Sequence, residues 1–225
     1  MTMKTTNGMK WGAATGFLSV AVGMAAVAFE RGAPGANAGS EEAIAYIRQY
    51  QGELLAQSLV FIIGACVSLC FFSSLRSYLR RAEGGAGSLS GLAFGAGCVY
   101  AGLQLTLQGF QIAMAMTVGA EPSGAAVLSA LGWAMSVVAY APLALMLASV
   151  AALSLRRKAF PVWLGILSAV AAAANLLMLC GILVKDGPLA PGGALTYAAY
   201  ALLPIWLVAT AAMMIRGIGK QGANS

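Results

Sequence analysis

The sequence predicts an all-α fold: a polytopic membrane bundle of six transmembrane helices with both termini on the cytoplasmic side. Three observations predict it. Of 225 residues, 60% are apolar and only 9% are charged, too few charged groups to coat a water-soluble core. The apolar residues gather in six runs, each long enough to cross about 30 Å of hydrocarbon, which takes roughly 20 residues of helix. The charges fall between the runs and change character from one connector to the next.

The runs cover about 11–29, 54–79, 90–116, 125–155, 161–184 and 194–215, and none carries Asp, Glu, Lys or Arg away from its ends. With their connectors they use nearly the whole chain. One membrane domain, residues 1–225, is therefore expected, with 216–225 as a flexible cytoplasmic tail. Lys4 and Lys10 precede the first run; Arg76, Arg80 and Arg81 close the second; Arg156, Arg157 and Lys158 close the fourth; Arg216 and Lys220 follow the sixth. Positive residues in short loops mark the cytoplasmic side. The alternate connectors hold a mixed or acidic set, Glu30, Arg31, Glu41, Glu42, Arg48, Glu53, Glu121, Lys185 and Asp186, which suits the outside. Trp11, Tyr78, Phe160 and Trp163 fall at the inner interface and Tyr46, Tyr50 and Tyr197 near the outer one, as interfacial anchors should. A formal net charge of +6 distributed in this way is topology charge. It forms no continuous basic patch, so nucleic acid is excluded as a partner.

The long connector from Glu30 to Glu53 contains Ser40-Glu41-Glu42, a helix start with acids in its first turn. Ile44, Ile47, Tyr50 and Leu54 follow at helical spacing. Two readings fit: a short amphipathic helix near 40–53 lying on the outer surface, or an outward extension of the second span across the weak breaker Gly52. At the N-terminus, two lysines, an apolar run and Ala36-Asn37-Ala38 resemble a cleaved signal peptide. The run is longer than a usual signal core, however, and the triplet lies far beyond its end. A first transmembrane helix is the expectation.

Several chemistries are excluded. With no histidine, the chain has no imidazole for haem, metal triads, Ser-His-Asp machinery or proton relays. Away from their ends the spans carry no charged residue to couple ions. Cys66, Cys70, Cys98 and Cys180 all lie within spans, where they are expected to act as small apolar residues. Neither a metal site nor a cofactor is expected. Gly84-Gly85-Ala86-Gly87 follows a helix, unlike a phosphate cradle, which follows a strand. Gly12 with Gly16, and Gly91 with Gly95, match the small-xxx-small spacing of closely packed membrane helices.

The third span carries the most informative internal pattern. Tyr100, Gln104, Gln108 and Gln111 recur at steps of four, four and three, which puts them in one arc of a helix with Gly97 on the same side. Amides facing lipid are unfavourable, so the arc should face protein or water. Ser129, Trp133, Ser136 and Tyr140 make a matching stripe in the fourth span. The fifth adds Ser168 and Asn175, and the sixth adds Tyr197 and Tyr200. Gln108, Gln111, Trp133, Ser136, Tyr197 and Tyr200 fall in the outer half of the bilayer, with Gln57 close to the same level, where they can converge. Either they form an uncharged pocket of aromatics and amides for a neutral amphiphile or a cation, or they hydrogen-bond helix to helix. Pro142 and Pro204 each remove one backbone hydrogen bond and can leave room for a cavity.

Leu75-Arg76-Ser77-Tyr78-Leu79-Arg80-Arg81-Ala82-Glu83-Gly84-Gly85, closing the second span, and Phe160-Pro161-Val162-Trp163-Leu164-Gly165, opening the fifth, resemble a broad group of uncharacterised bacterial six-helix integral membrane proteins. Trp206 adds a further point of likeness. The resemblance implies the six-helix plan and a multi-pass place in the bacterial inner membrane, and brings no activity with it.

Three function classes remain. One is a protein that binds or transports a small lipophilic ligand. A second is an accessory subunit that packs in a homo-oligomer or larger membrane complex. The third is a membrane-embedded enzyme on a lipophilic substrate such as an isoprenoid, for which Glu53 and Glu121, at the outer ends of spans two and three, are the candidate acids, with Tyr100 or Tyr140 as hydrogen-bond donors. Apart from the lipid bilayer itself, no partner is specified. Edman sequencing of the purified protein is expected to find residues preceding Gly39; a chain beginning at Gly39 would leave five spans and end the six-helix assignment.

Overall fold

The computed structural model describes residues 3–35, 38–184, 187–191 and 193–223, and side-chain surroundings within 8–218. Ala36 and Asn37 of the small-residue triplet, and Lys185 and Asp186 of the fifth connector, lie outside the described residues. The helices are α1 (Met3–Val27), α2 (Ser40–Gln49), α3 (Gln51–Glu83), α4 (Ser88–Thr117), α5 (Pro122–Arg157), α6 (Val162–Leu179) and α7 (Ala194–Ala223), with a 3-10 turn, Cys180–Leu183, extending α6. Among the described residues there is no strand. All but α2 are long and apolar enough to cross a membrane. The chain is an all-α, multi-pass membrane-helix bundle.

The spanning helices close into a ring. Helix α1 lies against α3, each of α4, α5, α6 and α7 packs against its predecessor, and α7 returns to α1. Helix α5 also reaches α3 across the ring and is the most enclosed element, 61% of its most apolar stretch being buried. The centre is filled by Phe71 and Phe72 of α3, Met146 and Leu147 of α5, Leu164 of α6 and Trp206 of α7. Phe71 meets the Trp206 ring edge to face, 6.4 Å between centroids at 89°, the arrangement that aligns ring quadrupoles. The Trp206 indole N–H donates to Ser168 Oγ at 2.8 Å, and that hydroxyl donates to Leu164 O at 2.8 Å. A fully buried tryptophan thus leaves no donor unpaired.

Glycine decides where α1 fits. A Cβ at Gly12 would overlap the Ser74 side chain, and one at Gly16 would stand 2.8 Å from the Phe71 ring and 2.9 Å from Ala211 Cβ. Helix α1 is therefore wedged between α3 and α7. Gly91 and Gly95 repeat the spacing but not the role: a Cβ there would meet nothing within 4 Å. They face the perimeter, because α4 turns Gly97 inward, where an added Cβ would stand 3.0 Å from the Phe72 ring and 3.1 Å from Met146 Sδ. Cys66 and Cys70 are exposed on the perimeter of α3, and Cys180 is exposed at the end of α6, not buried as small core residues. Among the described residues, no cluster of Cys, Asp and Glu is arranged to hold a metal.

At the arginine-rich end, three glycines at positive φ, Gly84 (+64°), Gly85 (+80°) and Gly87 (+71°), turn the chain from α3 into α4. The Glu83 carboxylate accepts from Leu89 N at 2.8 Å and Ser90 N at 3.0 Å, satisfying free N–H groups at the positive start of α4. Tyr78 stacks on Phe160 at 4.9 Å. Phe160 is buried, only 3% exposed, so it is core and not an interfacial anchor, because Tyr78 and the entry of α6 close over it. Trp11 and Trp163 are exposed, as anchors are. Helix α7 continues to Ala223 through residues expected to form a tail, since no proline follows to stop it. Pro142 and Pro204 lie inside helices that continue through them.

At the opposite end, the separate-helix alternative holds for the long connector. The break falls at Tyr50 (φ −113°, ψ 26°), while Gly52 lies inside α3. Helix α2 packs on α3, α4 and α5, burying Ile47 with Leu54, Met114, Ala115, Val118 and Ala125. It lies across the ends of those three helices.

Gly97→Leu is expected to lower thermal stability in detergent by about 1–3 kcal/mol equivalent, the usual cost of overpacking, whereas Gly95→Leu leaves the melting temperature unchanged or raised. Melting followed by circular dichroism compares the two.

Candidate functional site

Beneath α2 is a cleft of about 270 Å³. Its roof is Ala43, Tyr46 and Ile47 of α2, with Glu30, Ala33 and Pro34 of the preceding loop. One wall is Leu54, Gln57 and Phe61 of α3; another is Leu107, Gln108, Phe110, Gln111 and Met114 of α4; the third is Leu128, Ser129, Gly132 and Trp133 of α5. Apolar side chains dominate, and three amides converge from two helices.

Two of the amides belong to one network. Gln111 Nε2 donates to Leu54 O at 2.9 Å and to Gln57 Oε1 at 2.9 Å, tying α4 to α3. Gln51 Nε2, one turn nearer the helix end, donates to Ala115 O at 2.7 Å. Gln108 differs. It is 8% exposed, and its Oε1 has no hydrogen-bond partner among the protein groups. A buried acceptor left unpaired costs about 1–3 kcal/mol. Ser58 Oγ and Thr210 Oγ1 are unpaired as well, but neither lines the cleft.

The roof carries one carboxylate, Glu30. Burial pushes the Tyr46 phenol above its ordinary range; a backbone hydrogen bond from Arg31 pulls the other way, while Glu30, Tyr50 and Glu53 add to the rise. Tyr46 is therefore neutral at ordinary pH and can both donate and accept. Its ring lies 5.0 Å from that of Tyr50.

The polar stripes do not meet in one place. Gln108, Gln111 and Trp133 reach the cleft with Gln57 and Ser129. Tyr100 packs against the central core, and Gln104, half-buried on α4, is not part of the lining. Ser136 Oγ donates to Trp133 O of its own helix at 2.7 Å. Tyr140 is buried with Val137, Met178 and Ala199, between α5, α6 and α7, and its ring lies 6.1 Å from Tyr200. Asn175 Nδ2 donates back to Ala171 O at 2.8 Å, and Tyr197 is exposed. The physical reason is distance along α5: seven residues from Trp133 to Tyr140 advance about 10 Å, from the open end into a layer covered by α7. Of the two acids at span ends, Glu53 sits in the first turn of α3 and Glu121 just before α5, where Ser123 Oγ lies 3.5 Å from its carboxylate. Neither lines the cleft. Sequence reasoning missed Glu30, Tyr46, Phe61 and Phe110. The apolar face of α2 was the available signal, since a face that buries Ile47 must cover something.

Fold and cleft together define a multi-pass helical membrane protein with a partly polar recess at the α2 end. Compared with known protein families, curated proteins and solved structures, the chain matches none.

Gln111→Leu is expected to destabilise the bundle by about 0.6 kcal/mol, up to roughly 1.7, the range for hydrogen bonds between membrane helices. Gln108→Leu removes an unpaired acceptor and is expected to be neutral or stabilising. Denaturation in mixed micelles measures both; equal losses would contradict the assignment of different roles.

Proposed function

We propose that this chain is a bacterial inner-membrane protein, with both termini cytoplasmic, that binds or transports a neutral or cationic amphiphile through the cleft beneath α2. In that orientation the arginine-rich end faces the cytoplasm and the cleft opens in the outer half of the bilayer. The observation that carries the reading is the unpaired Gln108 acceptor in a recess lined mainly by apolar side chains, because ligand sites are apolar clefts with a few placed polar groups. The recess is just below the usual volume for drug-sized ligands, which suits one chain or head of an amphiphile whose remainder lies in lipid. The likeness to bacterial six-helix membrane proteins belongs to the same proposal: Tyr78, Phe160 and Trp206, from the segments that carry it, all pack in or beside the core at or below the arginine-rich end.

A second reading, an accessory subunit or homo-oligomer, is favoured by α4. A Cβ added at Gly91, Gly95, Gly102 or Gly109 would meet nothing within 4 Å, so this helix presents a smooth face to lipid or to a neighbouring helix.

Purification in lipid nanodiscs followed by mass spectrometry is expected to find a bound amphiphile that is lost when Gln104, Gln108 and Gln111 are replaced together by Leu. Retention of the same molecule in the triple variant, with folding intact, would remove the cleft from the function.

A further inference from the structure

We infer that the cleft selects the protonated head of a primary or secondary amine, with Gln108 Oε1 accepting one of its N–H bonds; this rests on the amphiphile-binding reading and deepens it to a ligand class. The hydrogen-bonding groups around the recess are not equally available. Gln111 Nε2 is committed to Leu54 O and Gln57 Oε1, and Gln57 Oε1 is thereby engaged. Gln108 Oε1 is the acceptor of the lining that is both buried and unpartnered. An acceptor in an apolar wall asks for a donor and opposes a carboxylate or phosphate.

The sign of the head group follows from the surroundings. Glu30 lines the recess, and among the described residues of that lining there is no lysine or arginine. Tyr46 and Trp133 present aromatic rings to the same space, and such rings attract cations over their faces. Carboxylate and aromatics favour any cation; Gln108, together with the Glu30 carboxylate as acceptor, distinguishes cations that carry an N–H. A quaternary ammonium keeps the charge and ring attractions and forgoes these hydrogen bonds. A fatty alcohol keeps the hydrogen bond and forgoes the charge.

The test uses the full chain in nanodiscs of zwitterionic lipid, with Trp11→Phe and Trp163→Phe at the far end so that the fluorescence comes from Trp133 and the core Trp206. Dodecylamine, dodecyltrimethylammonium, dodecanol and dodecanoate are titrated against the emission. Dodecylamine is expected to bind on the order of tenfold more tightly than its trimethyl analogue, the usual worth of one hydrogen bond to a charged group. It should also exceed dodecanol, and dodecanoate should be weakest. Gln108→Leu, or Gln108→Met should the first fold poorly, is expected to narrow the gap between the two cations severalfold without lowering thermal stability. Equal binding of the two cations, a gap left unchanged by loss of Gln108, or dodecanol matching dodecylamine overturns the amine assignment while leaving an amphiphile site in place. No saturable change with any of the four overturns both.

Discussion

Everything in this structure depends on the cost of an unpaired backbone amide in hydrocarbon. Six stretches of chain become helices because no other local structure satisfies its own N–H and C=O groups there. Once formed, they have little hydrophobic reason to associate, since lipid tails are as apolar as their side chains. Close approach must supply the cohesion. Gly12 and Gly16 let α1 fall against Ser74, Phe71 and Ala211, and the space at the centre is taken by large rings from α3 and α7 with Met146 from α5. The bonded Trp206–Ser168 pair fixes those rings without leaving a polar atom exposed to lipid.

The two ends of the bundle treat polar groups differently. At the arginine-rich end, Glu83 satisfies the start of α4, and Tyr78 and Phe160 stack face to face. The α2 end joins α3 to α4 by amides, through Gln51 and Gln111, and then leaves Gln108 unsatisfied within a roofed recess. The recess and its unpaired acceptor thus lie at the end opposite the arginine-rich turn. The same contrast separates Gln111 from Gln108, three residues apart on one helix: one is structural glue, the other is a cost carried by the fold.

How much was legible in the sequence follows from the range of each interaction. Span number and placement depend on hydrocarbon thickness and chain composition, both local, and they were readable. The break before α3 was not, because it falls at Tyr50, a residue with no breaking tendency, instead of at Gly52. Identical glycine spacings at 12–16 and 91–95 met opposite fates, because the pattern says only that an approach is allowed, while the neighbouring helix decides whether it happens. The outer amides and Trp133 could be brought together from helical periodicity. Tyr140 and Tyr200 could not be separated from them, since periodicity gives a face but not the depth at which another helix covers it. Glu30 and Tyr46 were missed because a roof is a tertiary fact: nothing in α2 alone states what lies beneath it.

Gly217 carries a consequence of its own. The Tyr78 hydroxyl occupies the place where a side chain at Gly217 would begin, and Phe71, two turns back along α3, meets Trp206. Seven residues of one helix are thus matched to eleven of the other, about two turns to about three. Insertion of one residue between Trp206 and Gly217 would rotate everything beyond it by about 100° and carry the glycine off the phenol. Between these two contacts the last helix works as a measured strut, its residue count specified as strictly as the glycine at its end.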